Sequence, residues 1–195
     1  MPVRLPLALA AAVLAGMSLA SLARAEGEIQ PEGGPGIWQP HEVELDYMGF
    51  TTTYSCDGLQ SKLELLLRQL GARADAKVSA FGCSRGYGTP SKFARATLKF
   101  AALQPLDPAS SASAPDAASP PVAGVWRQLE LAPYRPFGLQ DGDCELMEQF
   151  RDKVLPLFVT RAQQIRTQCV PHQDTGGPFS LNMQVFAPVP AAKSK

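Results

Sequence analysis

Four cysteines constrain this chain more than any other feature: Cys56 and Cys83 stand 27 positions apart, and Cys144 and Cys169 stand 25 apart. They follow an N-terminal stretch with the marks of an export leader. Arg4 gives a positive start, Leu5 to Leu22 runs without a charge, and Ala23-Arg24-Ala25 supplies a small-x-small cleavage site before Glu26. Residues 1–25 are therefore read as a removable signal peptide. The mature chain is expected in the periplasm or secreted, with no stable membrane insertion after cleavage. In such an oxidising compartment an even cysteine number favours structural disulfides over reactive thiols or a metal site, and no Cys-x-x-Cys occurs.

Four cysteines permit three pairings. The even spacing favours Cys56 with Cys83 and Cys144 with Cys169, because the same order of elements surrounds each pair. Val43, Leu45 and Tyr47 alternate with Glu44, Asp46 and Met48, the two-residue period of a half-buried strand. Leu59, Leu63, Leu66 and Leu70 then share one helical stripe, with Asp57 and Gln60 as a capping pair and Gly71 as the stop. Val78 and Ala80 predict a second strand, ending at Cys83. Ala94, Ala96, Leu98 and Phe100 face inward on a third, with Arg95, Thr97 and Lys99 outward.

The second half repeats the order. Val125, Leu129 and Leu131 mark a strand. Asp141 or Asp143 caps a helix striped by Leu146, Phe150, Val154 and Phe158, which Pro156 kinks or ends near Leu155. A polar strand containing Ile165 leads to Cys169, and Phe179, Leu181, Met183 and Val185 alternate with polar neighbours on the last. Each half reads as β-α-β-β, so the expected fold is α+β: a tandem repeat forming a six-stranded, mostly antiparallel sheet with two helices on one face and a disulfide inside each copy. The domain plan is a flexible arm at 26–40, units at 41–103 and 125–187, an Ala/Ser/Pro-rich linker at 104–124, and a tail at 188–195.

Charge narrows the partners. The 18 basic residues fall to 16 once Arg4 and Arg24 leave with the leader, against 18 acidic ones, so neither nucleic acid nor an anionic membrane is favoured. Function is less legible. His41 and His172 are the only histidines, and neither sits in a catalytic motif. Asp141, Asp143 and Glu145 cluster without the later ligands of a calcium loop, and acids at a helix start are expected from the macrodipole. The hydroxyl run Thr51 to Ser55 lacks a nucleophile-elbow setting. No catalytic residue, metal ligand or cofactor is assigned. The open sheet face and the Thr51 to Ser55 loop give a candidate binding surface of Thr52, Tyr54, Ser55, Arg95 and Lys99, for an unknown envelope protein or small ligand. The alternatives are an envelope hydrolase using Tyr54 or Ser55 with His41, and a metal- or redox-linked role.

The runs Tyr47-Met48-Gly49-Phe50-Thr51-Thr52, Tyr54-Ser55-Cys56-Asp57-Gly58-Leu59, Leu70-Gly71-Ala72-Arg73 and Gly82-Cys83 resemble a group of small exported proteobacterial proteins of unknown function. The resemblance covers mainly residues 43–103. It implies export and a bacterial source, and it carries no activity, cofactor or catalytic residue.

Overall fold

The computed structural model describes residues 32–85, 88–106, 120–170, 172 and 179–190. The leader, most of the linker and residues 191–195 lie outside them. The first half contributes β1 (Gly33–Met48), α1 (Cys56–Gln69), β2 (Lys77–Phe81), a two-residue hairpin of β3 (Ser84–Arg85) and β4 (Thr89–Pro90), and β5 (Phe93–Pro105). The second contributes β6 (Val122–Leu131), α2 (Cys144–Lys153), β7 (Thr160–Thr167) and β8 (Phe179–Pro188). The main sheet has six strands in the order β2-β5-β1-β6-β8-β7, with every neighbouring pair antiparallel. The first strand of each half lies centrally, the last beside it, and the post-helix strand at the edge.

The disulfides join Cys56 to Cys83 and Cys144 to Cys169, each linking a helix start to the chain just beyond the following strand. Among the described residues no cysteine is free. One apolar core takes in both helices and the inward strand residues. Leu59, Leu63, Leu66, Leu67 and Leu70 of α1 share one buried cluster with Leu146, Met147 and Phe150 of α2, with Val154 after it, and with Leu45, Tyr47, Ala96, Leu98, Leu131, Leu181 and Met183 of the sheet. Truncating any of these leucines to alanine would cost about 2–5 kcal/mol through lost transfer energy and the cavity left behind.

Several local expectations change. Ser55, rather than Asp57, caps α1, its hydroxyl accepting the Gly58 N–H at 3.1 Å. The Gln60 amide turns to Glu64 instead of closing a capping box. Asp143 does not cap α2 in the simple sense. Its carboxylate accepts the Gln140 N–H at 2.7 Å and stabilises a single 3-10 turn, Asp141–Asp143, that leads into the helix. α2 ends at Lys153, and Pro156 sits in a second 3-10 turn, Leu155–Leu157, as its missing amide hydrogen demands.

The larger correction concerns the arm. Residues 33–40, read as part of a flexible arm, begin β1, and Gly33 to Gly36 pair with Val122 to Val125. Linker residues Gln104 and Pro105 belong to β5, and Val122 to Gly124 to β6; Pro188, placed in the tail, closes β8. Composition misled because the glycines serve close packing rather than freedom. A Cβ on Gly33 would stand 2.4 Å from the Gly124 carbonyl oxygen, and one on Gly124 would stand 2.3 Å from the Phe186 ring. The strand-to-strand seam between the halves is confined to these four pairs. Beyond Gly36, β1 parts from β6, and at its far end the side chain of Gln149 on α2 takes the place of a ladder partner. Its amide donates to the Met48 carbonyl and its oxygen accepts the Met48 N–H, both at 3.0 Å.

Candidate functional site

At the end of β1 the chain makes a tight return. Gly49 permits it, since a Cβ there would lie 2.0 Å from the Thr52 carbonyl oxygen and 2.5 Å from the Tyr47 hydroxyl, which itself donates to that carbonyl at 2.6 Å. The return loop is held by the second half of the molecule. Glu145, in the first turn of α2 and almost fully buried, accepts the Phe50 N–H at 2.8 Å, the Thr51 N–H at 3.0 Å and the Thr51 hydroxyl at 3.2 Å. Asp143 is buried beside it. One of its oxygens accepts the Tyr54 hydroxyl at 2.5 Å, and the other accepts the Lys62 ammonium at 2.5 Å as well as the Gln140 N–H.

This arrangement absorbs the groups that a catalytic reading would use. Burial, reinforced by the charge of Asp143, holds the Tyr54 hydroxyl far above its ordinary range; burial and then Glu145 and Asp143 do the same for Tyr47. Neither phenol ionises near neutrality, so neither is a ready nucleophile or base. The three clustered acids diverge. Asp141 accepts the Tyr134 hydroxyl at 3.2 Å, while Asp143 and Glu145 serve the loop, and among the described residues no three His, Cys, Asp or Glu side chains are grouped to hold a metal.

The fold does not bring His41 to Ser55. Ser55 shares a cleft with Cys83, Ser84 and Pro90 near the Met48 end of the sheet, whereas His41 lies seven strand residues before Met48, about 23 Å at a rise of about 3.3 Å per residue. His41 pairs across the sheet with Phe100, and its Nε2 is buried without a hydrogen-bond partner among the described residues. His172 lies near the loop, with its N–H on the Thr51 hydroxyl at 3.1 Å and its ring edge-on to Phe50.

The five residues expected to share a surface are dispersed. Tyr54 is buried in the carboxylate network and Ser55 is a helix cap. Thr52 has its carbonyl on Tyr47 and its hydroxyl against Gly142. Arg95 and Lys99 do lie on the open face, where Arg95 pairs with Asp46 at 2.6 Å and Lys99 with Glu42 at 2.9 Å. The same face carries Trp126, edge-on to Phe186 and covered by the Arg161 guanidinium at 4.3 Å.

What the sequence reading missed is an apolar end to that face. Strand alternation turns Met48 and Phe93, which are register partners, away from the core, along with Phe81, the partner of Arg95. Phe93 is 53% exposed, Phe81 46%, Met48 42% and Phe50 41%. Two clefts flank Met48. One of about 360 Å³ is lined by Asp46, Met48, Phe81, Phe93 and Arg95; the other, of about 430 Å³, is lined by Met48, Phe50, Glu145, Glu148 and Gln149. A signal was present in the sequence: Met48 and Phe93 occupy outward positions that continue Glu42, Glu44 and Asp46 on one strand and Arg95, Thr97 and Lys99 on the other. Searches of protein-family models, curated proteins and solved structures find no match to this chain.

Proposed function

We propose that this chain is an exported, non-enzymatic binding protein whose Met48, Phe50, Phe81 and Phe93 surface holds an apolar segment of an envelope protein. One observation carries the reading: four large apolar side chains stand exposed together beside two clefts, while neighbouring groups with chemical potential are spent on holding the loop beneath them. Scattered exposed apolar residues are ordinary on a folded protein, but a contiguous group rimmed by charge, here Asp46, Arg95 and Glu148, is the usual mark of an interaction site. The disulfides fit an oxidising compartment, and the leader sends the chain to the periplasm or outside the cell. Among the described residues no helix is long and apolar enough to cross a membrane. The matching order of elements on the two sides of the β1–β6 seam supports descent from one duplicated module.

The test is a photoreactive phenylalanine analogue placed at Phe81 in the exported full chain, with the same analogue at Glu130, also exposed on the sheet, as control. The reading predicts one recurrent protein adduct from Phe81 and none of that mass from Glu130. Indistinguishable adduct patterns at the two positions would defeat it.

A further inference from the structure

The sheet order leaves β2 and β7 as edges, and the two edges differ. β7 is poor at accepting another strand: its pairing with β8 shifts between Arg161 and Gln164, Ala162 has a φ of 52°, and Arg161 and Arg166 add charge. Those are the devices by which natural sheets discourage edge pairing. β2 has neither the register shift nor a residue of positive φ. Its five residues pair with β5 in unbroken register, it contains no proline, and Lys77 is its one charge. Among the described residues, no hydrogen bond from outside the ladder reaches a backbone group of Lys77 to Phe81.

Two clefts bracket this edge. The apolar one, at Phe81 and Phe93, lies at its C-terminal end. At the other end a cleft of about 390 Å³ is lined by His41, Glu42, Arg73, Asp75, Lys77 and Lys99. Within it Arg73 is paired with Asp75 at 2.8 Å and Lys99 with Glu42 at 2.9 Å, so the Lys77 ammonium is left without a carboxylate within pairing distance among the described residues. Lys77 and Phe81 are four residues apart and therefore face the same side of the strand, about 13 Å from each other.

We infer that the free side of β2 takes up an extended peptide as a seventh strand, with an acidic side chain at Lys77 and, four residues away, a large apolar side chain against Phe81 and Phe93. The inference rests on the apolar end being a binding surface and adds how the partner is held. Backbone pairing supplies affinity, and the two clefts select side chains. A second copy of this chain fits less well. Antiparallel self-pairing would set Lys77 opposite Phe81, whose ring already lies beneath the Arg95 guanidinium at 5.9 Å, and would bring like charges together.

The experiment titrates the mature full chain with fluorescein-labelled eight-residue peptides of threonine and valine carrying one aspartate and one phenylalanine four positions apart, in both orders. Each peptide is matched by two versions methylated on alternate backbone amides, one for each ladder register. One order is expected to bind, and one of its methylated versions to bind at least about tenfold more weakly, since that version loses two or more ladder bonds. Lys77→Glu should weaken that peptide by about tenfold and improve binding when lysine replaces its aspartate. Amide exchange at residues 77–81 should slow on binding. If both methylated versions bind as tightly as the parent, strand addition is wrong, while the Phe81 adduct can still stand. Binding of neither order, with the Phe81 adduct retained, overturns the inference and spares the binding surface. Protection of β2 that grows with protein concentration and needs no peptide would name a second copy as the occupant, and so overturn it too.

Discussion

Removing the Glu145 carboxylate should unfasten the loop that carries Phe50. In Glu145→Ala the N–H groups of Phe50 and Thr51 lose their acceptor, and the Thr51 hydroxyl is left with the Val170 carbonyl at 3.5 Å. A hydrogen bond to a charged group contributes about 1.5–3 kcal/mol, and the two amide bonds set the scale. The loop is partly exposed, so water recovers part of the loss, and we expect a net destabilisation of about 3 kcal/mol. For a domain of this size, at about 2–4 °C per kcal/mol, the melting temperature should fall by about 10 °C. Glu145→Gln retains one acceptor oxygen but turns an NH2 group toward the donors, so it should fall by about half as much. Glu148→Ala on the same helix, which makes none of these bonds, should change stability by less than about 0.5 kcal/mol. The assay is calorimetry or circular dichroism of the oxidised proteins at one pH. A Glu145→Ala melt within about 2 °C of the unaltered protein would refute the reading of this carboxylate as a stabilising tie on the loop after β1.

Replacing Cys56 and Cys83 together by serine, or Cys144 and Cys169 together, should each cost about 3–4 kcal/mol of unfolding free energy in urea, because each bridge closes a loop spanning 27 or 25 positions. Burial lowers the pKa of His41 below its ordinary 6.5, so as the pH falls the unfolded chain takes up that proton first. The stability is complete above the unfolded value and is lost as the pH drops through about 6.5 toward the folded one. Urea midpoints at pH 7.5 and pH 5 should therefore differ more for the unaltered protein than for His41→Gln.

The parts of the fold governed by short-range pattern were legible. The leucine stripe of α1, the Phe150 stripe of α2, the alternation in β5 and β8 and the within-half cysteine pairing all follow from periods and spacings that a local window contains. The seam was not, because Gly33 to Gly36 look like freedom until Phe186 and the β6 backbone are placed against them. The site was hidden for a related reason. Tyr54 and Thr51 read as surface hydroxyls, yet their partners Asp143 and Glu145 lie 89 and 94 positions away. No neighbouring residue announces that a buried carboxylate is waiting. The apolar end was the reverse case, since the alternation that fixed which side of the strand Met48 and Phe93 occupy was already in view. Only the sheet order showed that those outward positions gather at one corner beside Phe81.

The division of labour between a stabilising carboxylate network and an exposed apolar surface is tested most directly by Phe93→Asp, introduced into the chain that carries the photoreactive analogue at Phe81. Phe93 lies outside the core, so the melting temperature should stay within about 2 °C of the parent, while the charge placed among apolar side chains should abolish the recurrent adduct. An undiminished adduct from a chain that melts normally would contradict the account.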